Sequence, residues 1–466
     1  MGRAKAKTLG QLRKSGYEVV SIREEMRRNL IDKVRKSEDL FPGIVGYEGT
    51  VIPQIQNAIL AGQDVIFLGE RGQAKSRLIR SLVNLLDDEI PFVAGCEIND
   101  HPYKPICRQC RDKAEKHGDD LEIDWLPREA RYGEKLATPD TTIADLIGEV
   151  DPIRVAEGRY LADEMTIHYG LIPRTNRGIF CINELPDLAE RIQVGLFNIL
   201  EERDVQIRGY KVRLPLDVYL VASANPEDYT SRGRIITPLK DRYGSQIRTH
   251  YPRTAEHEIA IMEAERAAFK DAGVAISVPA FMKEIVAELT AQARRSPDIN
   301  QRSGVSVRVS IANYEVLTSN ALRRAIRLGE KEAVPRISDL PYLMASTAGK
   351  IEMETVDEGR EDKVLEKLIH NAVATVFDRR LSAADFADLI ERFAQGATVE
   401  VSENTPSARY AALVQEMGGL EAGLAKLKDR ESPAYIASAV EFILEGLHLR
   451  KKLNKDKVAG RSVYRV

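Results

Sequence analysis

The sequence predicts an α/β protein: a parallel sheet with crossover helices over about residues 41–253, followed by two mostly helical regions, 254–350 and 351–466. The first observation is alternation. Short β-rich runs, "DVIFL" (64–68), "PFVAG" (91–95), "GIFCI" (178–182), "VYLVASA" (218–224) and "QIRTHY" (246–251), alternate with amphipathic helical stretches, as in parallel strands joined by helices. The second is a glycine-bearing loop, "GERGQAKS" (69–76), between the first of those strands and a stretch that places Leu78, Ile79, Leu82, Val83, Leu85 and Leu86 on one helical face. The third is the loss of β signal after "HYPRT", where apolar residues recur at helical spacing with Gly or Pro between the runs.

A chain of 466 residues is too long for one ordinary core, so two or three domains are expected. Hydrophobic residues at 43% and charged residues at 30% describe a soluble globular protein, and a formal charge of -3 gives no chain-wide field for nucleic acid or an anionic membrane. The last stretch is basic: Arg450, Lys451, Lys452, Lys455, Lys457, Arg461 and Arg465 against Asp456, read as a solvated tail. No apolar run approaches membrane-spanning length and the first twenty residues lack the apolar core of a signal peptide. Four cysteines in so long a chain make no disulfide framework, so a cytosolic location is the default. Residues 1–40 read as a charged helical arm, "SIREEMRRNLIDKVRKSEDL", ended by "FPG".

The loop at 69–76 has the setting of a phosphate-binding loop. Gly69 opens it, Lys75 and Ser76 close it at the expected distance, Gly72 lies inside, and Ala74 stands where the usual signature has a second glycine. Backbone N–H groups and the positive helix end hold phosphate oxygens in such loops. Lys75 would reach the terminal phosphates and the Ser76 hydroxyl would ligate Mg²⁺; alanine at 74 is tolerable if its φ is negative and its methyl points away. The plain alternative is a glycine-containing connection with an incidental lysine.

Further along, "RGIFCINEL" is an apolar strand ending in Asn183 and Glu184, where P-loop ATPases carry an acidic pair that supports the metal shell and polarises water. Asn183 is an amide and brings no charge. "VYLVASANPED" ends another strand at Asn225, which could orient a water or simply form an Asn-Pro turn. "TPLKDRYGSQI" places Asp241 and Arg242 before the last strand, as a residue aimed at a neighbouring subunit or as a surface ion pair.

Taken in order, these elements resemble an AAA+ ATPase. "GERGQAKS" resembles the loop of the MoxR-like and magnesium-chelatase ATPase subunits, in which alanine before the lysine is usual. "IPRTNRGIFCINELPDLAERIQVGLFNILEERDVQIRGYKVRLPLDVYLVASANPED" looks like the stretch from the second acidic motif through a hairpin to the first sensor. "LIGEVDPIRVAEGRYLADEMTIHYGLIPR" resembles the helix-2 insertion of that clade, "LFPGIVGYEGTVIPQIQNAIL" the wall of the adenine pocket around Ile44, Val45 and Gly46, and "SGVSVRVSIANYE" the second-sensor motif. The resemblance spans roughly residues 40–350. It implies an AAA+ P-loop domain at 41–253 with a helical lid at 254–350, and ATP and Mg²⁺ as cofactors. The nucleotide would be held by Gly69, Glu70, Arg71, Gly72, Gln73, Ala74, Lys75, Ser76 and Arg77 with Asn183. Glu184 would activate water, Asn225 position it, Arg308 sense the γ-phosphate in cis and Arg242 reach in from the next subunit of a ring, expected as a hexamer.

"GCEINDHPYKPICRQCRDKAEKHG" gathers Cys96, Cys107 and Cys110 with His101 and His117 nearby. C-x-x-C lets two thiolates converge on a soft cation, and Cys96 with a histidine, His101 ahead of His117, would complete a zinc site. Reduced thiols on an insertion, or a redox pair, are the alternatives. Cys181 reads as a small core residue.

The function implied by the resemblance is a ring ATPase that remodels a client protein through a partner bearing a von Willebrand factor A domain. This sequence contains no D-x-S-x-S motif of such a domain, so the adapter would be a separate protein. A tetrapyrrole chelatase is a narrower reading with no specific feature here. A nucleic-acid ring is the runner-up: the hairpin "DVQIRGYKVRLP" carries Arg208, Lys211 and Arg213, but the G-A-F-T-G-A loop of enhancer-binding activators is missing. A nucleotide-gated scaffold with very slow hydrolysis is the third reading, which Asn183 permits.

Overall fold

Alternation along three strands builds the central sheet. Val65, Phe67, Ile179, Cys181, Tyr219 and Val221 enter one apolar cluster, while Ile66, Phe180, Ile182, Leu220 and Ala222 enter another, the period of two that a strand buried on both faces imposes. The computed structural model describes residues 5–150, 164–206, 213–225, 233–267, 273–354, 360–427, 432–458 and 461–466. These divide into two units, one up to His250 and one from Tyr251 onward.

The strands of the first unit are β1 (Val65–Leu68), β2 (Glu89–Val93), β3 (Ile123–Pro127), β4 (Tyr132–Leu136), β5 (Gly148–Val150), β6 (Ile167–Tyr169), β7 (Gly178–Asn183), β8 (Asp204–Gln206), β9 (Arg213–Pro215), β10 (Val218–Ala224) and β11 (Ser245–Arg248). Five of them form a parallel sheet in the order β11-β1-β10-β7-β4. Helices Ile22–Arg35, Val51–Leu60 and Lys75–Ser81 cover one face through Met26, Leu30, Ile55, Ile59, Leu78 and Ile79. The other face is covered by Leu146, Ile192, Leu196, Ile199 and Leu239. All strands of the sheet run the same way, so their carboxyl ends lie along one edge, where open α/β sheets bind ligands.

Two expectations change here. "PFVAG" does supply a strand, but β2 pairs antiparallel with β3 outside the main sheet; the fifth strand is β4, "YGEKL", whose polar edge position gives no apolar run to read. The described residues 5–40 do not form one helical arm. They hold helices Leu9–Lys14 and Ile22–Arg35, the latter opened by a Ser21–Glu24 capping box and buried along Ile22, Met26 and Leu30.

The second unit contains helices Ala255–Glu265, Ala280–Ala293, Arg308–Leu328, Arg360–Arg380, Ser407–Met417 and Pro433–Leu449 and strands β12 (Ala275–Ile276), β13 (Glu332–Ala333), β14 (Val399–Val401), β15 (Asn454–Val458) and β16 (Arg461–Arg465). One apolar cluster runs from Met262 through Phe281, Leu317 and Phe377 to Phe442 and Tyr464, so the expected boundary at 350/351 falls inside a shared core. Phe281 stacks on Phe442 with centroids 4.6 Å apart. The basic end is not a solvated tail: β15 and β16 pair antiparallel, β16 also pairs with β14, and Lys455 Nζ donates to buried Glu445 at 2.7 Å. No helix among the described residues is long and apolar enough to cross a membrane.

Candidate functional site

The site candidates lie at the carboxyl ends of β1, β10 and β7. After Leu68 the backbone N–H of Gly69 donates to Ala224 O at 3.1 Å, which seats the loop on β10. A Cβ at Gly69 would collide with the Thr249 hydroxyl and the Gln73 amide, so this position needs glycine. Gln73 locks the loop: its Oε1 accepts from Glu70 N–H at 3.1 Å and from the Thr249 hydroxyl at 2.7 Å. The Tyr47 hydroxyl lies 3.0 Å from Gln73 O and 2.7 Å from His250 O, one donor shared by two carbonyls. Gly72 has φ +75. Ala74 corrects the expectation of a negative φ: it takes φ 56 and ψ 17, the left-handed geometry usually left to glycine, at a cost of roughly 1 kcal/mol.

Lys75 begins the helix with 8% of its surface exposed. Its ammonium donates to Gly69 O, to Glu70 O at 2.9 Å and to Asn225 Oδ1 at 2.5 Å. Asn225 Nδ2 in turn donates to Glu184 Oε2 at 2.8 Å. The amide therefore presents its oxygen to the cation and its nitrogen to the carboxylate, which fixes its orientation. Glu184 sits at φ 55, a left-handed conformation uncommon outside glycine, and its N–H donates to Ser223 Oγ at 3.2 Å. The Ser223 hydroxyl and the Cys181 thiol each lie 3.3 Å from Asn183 Oδ1. Burial pushes the Cys181 thiol up to about 12, consistent with a core role.

Ser76 is exposed on the first turn beside Lys75. A Cβ on Gly43 would meet the Arg77 guanidinium, and Ile44, Val45 and Gly46, which follow it, are half-buried. The fold thus gathers the loop, Asn183, Glu184 and Asn225. Arg242 is not part of that gathering. It donates from Nε and Nη2 to Glu201 Oε2 at 2.9 and 2.6 Å and lies 4.4 Å over the Phe197 ring. Arg308 belongs to the second unit, as the exposed first residue of helix Arg308–Leu328. Pro226–Asp228, the centre of the helix-2 insertion (151–163) and hairpin residues Arg208 and Lys211 lie outside the described residues. Thr249 and Ser223 went unread in the sequence because a hydroxyl at a strand end carries no motif, and Tyr47 because a tyrosine ahead of a helix carries none either.

The cysteine segment forms a separate group. One ligand atom from each of Cys96, Asp100, Cys107 and Cys110 lies within 4.8 Å of the others, and all four residues are buried. The expected fourth member, His101, is replaced by Asp100. His101 Nδ1 instead accepts from Tyr103 N–H at 2.9 Å, and burial pushes the ring down to about 3, leaving it neutral. His117 is exposed at the far end of helix Arg108–His117.

A family model described as a Sigma-54 interaction domain matches residues 156–239. The chain is 29% identical over 248 residues to magnesium-chelatase subunit ChlI-2, chloroplastic, of Arabidopsis thaliana, covering 51% of this chain and 55% of that one. It is 28% identical over 257 residues to ChlI of Nostoc sp., covering 54% and 63%, and 27% identical over 242 residues to the magnesium-chelatase 38 kDa subunit of Rhodobacter capsulatus, covering 49% and 61%. The chain thus spans between 55% and 63% of the length of these relatives. With the loop, the Asn-Glu strand end and the parallel sheet already in place, these similarities relate the chain, over about half of its length, to the AAA+ ATPase subunits of magnesium chelatase.

Proposed function

We propose that this chain binds ATP with Mg²⁺ at the carboxyl edge of its first-unit sheet and hydrolyses it as a subunit of a ring, expected as a hexamer, that remodels a partner protein. One observation carries the reading: Asn225 joins the Lys75 ammonium to the Glu184 carboxylate across the ends of three adjacent strands. The donor set fits a nucleotide. A buried ammonium faces loop carbonyls that phosphate oxygens can replace, the exposed Ser76 hydroxyl opens the helix, and loop N–H groups stand at its positive end. Mg²⁺, when bound, supplies positive charge against the phosphates.

In this reading Lys75 exchanges its bonds to Gly69 and Glu70 carbonyls for phosphate oxygens. Glu184 takes a proton from the attacking water, and Asn225 holds the carboxylate in orientation while its oxygen still faces Lys75. Asn183 orients neighbours without adding charge. Arg308 would contact the γ-phosphate in cis. Arg242, held in this chain by Glu201 and Phe197, would be presented to the next subunit's nucleotide. A protein with a von Willebrand factor A domain is the proposed adapter and nucleic acid is not a proposed partner.

The test is the ATPase rate per chain against protein concentration, for wild type, Glu184→Gln and Arg242→Ala. The proposal expects specific activity to rise steeply with concentration, and both variants to lose turnover while still binding ATP. Full activity of Arg242→Ala as a dilute monomer would overturn the trans arginine. Silence of the wild type at every concentration, with nucleotide-dependent partner binding that survives Glu184→Gln, would favour the scaffold reading that neutral Asn183 permits.

A further inference from the structure

The segment between β2 and β3 is an excursion, residues 94–122, that ties distant parts of the first unit together. Two of its cysteine sulfurs already accept backbone donors: Cys96 Sγ from Asp100 N–H at 3.3 Å and Cys107 Sγ from Cys110 N–H at 3.4 Å. Such N–H donors stabilise thiolate sulfur. Cys107 is the N-cap of the ten-residue helix Arg108–His117, so the positive helix end also faces the group.

Asp100 supplies an independent observation. It is 0% exposed, its Oδ2 accepts from the N–H groups of Ile106 and Cys107 at 3.1 and 2.9 Å, and its Oδ1 has no hydrogen-bond partner among the described residues. A buried carboxylate oxygen without a partner is costly. A disulfide would not relieve it, because three thiols make one disulfide and leave a thiol and the carboxylate oxygen over. A single cation uses all four groups.

Size selects the kind of cation. Four ligand atoms at about 2.0–2.3 Å from a tetrahedral ion stand about 3.3–3.8 Å apart. The group here, with every atom within 4.8 Å of the others, is near that span. An iron–sulfur cubane holds its ligands farther apart, since iron and sulfide both lie between them. Thiolates outnumbering oxygen select a thiophilic ion over Mg²⁺ or Ca²⁺.

We infer that Cys96, Asp100, Cys107 and Cys110 form a closed tetrahedral site for a thiophilic divalent cation, zinc by its chemistry, that fastens the 94–122 excursion to the sheet. On binding, the three thiols lose their protons to solvent, no redox change occurs, and the loaded site carries a net negative charge facing the helix N-terminus. All four positions are filled by protein, so the ion is structural.

The same excursion holds what leads into β7. Asn99 Nδ2 donates to Arg174 O at 2.8 Å, Asn176 Nδ2 to Ile98 O at 3.0 Å, and Arg177 Nη1 to Asn99 O at 3.4 Å. Arg108 N–H and Arg111 Nη2 donate to the two oxygens of buried Glu164 at 2.9 and 3.0 Å. Loss of the ion would therefore loosen residues 164–177.

The experiment is metal analysis of the full chain by plasma mass spectrometry, with competitive Zn²⁺ titration of the reduced protein against a chromophoric chelator. The inference expects about one zinc per chain, thiolate-to-cobalt charge-transfer bands after Co²⁺ substitution, and loss of metal in Cys110→Ser. Asp100→Asn should weaken zinc at least about tenfold, while His101→Ala and His117→Ala keep it. Hydrogen exchange at 164–177 should rise when the wild-type protein is stripped and fall when zinc returns, a readout that does not depend on any variant folding. Failure of the reduced wild type to take up zinc, a native disulfide among the three cysteines, or loss of zinc in His101→Ala but not Asp100→Asn would overturn it. None of these outcomes depends on ATP hydrolysis.

Discussion

The two edges of the parallel sheet carry polar residues of opposite character. Where the strands begin, charges are paired and closed off. Arg131, which precedes β4, meets Glu25 through both nitrogens at 2.6 Å, with 1% and 4% of the side chains exposed. Asp64, which precedes β1, binds Arg23 at 2.6 Å and the Leu220 N–H at 2.9 Å, and Asp217, before β10, accepts the Ile22 N–H at 2.8 Å. Where the strands end, the neutral amide of Asn225 bridges the Lys75 ammonium and the Glu184 carboxylate. One edge is a foundation whose partners must not change. The other is built from contacts that an incoming ligand can exchange.

Breaking the foundation should give the largest effect. Arg131→Met leaves Glu25 charged and buried without its partner, which costs about 3–5 kcal/mol. Denaturant unfolding of the first unit reads this directly, and a loss below about 1 kcal/mol would mean the pair is not structural. The opposite edge should respond in the opposite currency. Glu184→Gln keeps the size and can still accept from Asn225, so stability should move by less than about 0.5 kcal/mol while turnover falls at least about a hundred-fold. A variant that lost stability and activity together would erase the distinction between the edges.

That contrast also explains what could be read from the sequence. Lys75, Glu184 and Asn225 were legible because each is a polar residue that stops an apolar strand or opens a helix, and the chain order of such stops follows the sheet. Thr249 and Ser223 end strands too, but hydroxyls are common there and carry no order. Asp100 was passed over because an acid between cysteines is ordinary and histidine is the usual soft-metal partner; only the fold brings its carboxylate among the thiols. The basic end misled because seven cations suggest solvent. Lys455 instead reaches Glu445, which is 2% exposed and also accepts from Tyr464, so charge there serves packing. Long-range pairing of that kind leaves no local signature.

A smaller effect separates the loop from the residues that brace it. Thr249→Val preserves shape and removes the donor to Gln73 Oε1, which keeps its bond from Glu70. One hydrogen bond is worth about 0.5–1.5 kcal/mol, so nucleotide affinity should weaken by about two- to tenfold, measured by calorimetric titration, with little change in turnover at saturation. Unchanged affinity would show that the loop holds its form without the brace.

The smallest effect tests the alanine itself. At φ 56 an alanine costs roughly 1 kcal/mol more than glycine, and this position is the helix N-cap, where glycine is also preferred to alanine. Against that, glycine has more freedom to lose on folding, worth about 0.4–1 kcal/mol. The balance predicts that Ala74→Gly raises first-unit stability by up to about 0.5 kcal/mol, read as a shift in the denaturant midpoint at constant slope. A loss of 1 kcal/mol or more would place the residue at negative φ after all, since there glycine brings only its entropy cost. The sign of so small a change therefore decides whether the loop holds alanine against its preference, on the edge of the sheet built for exchange.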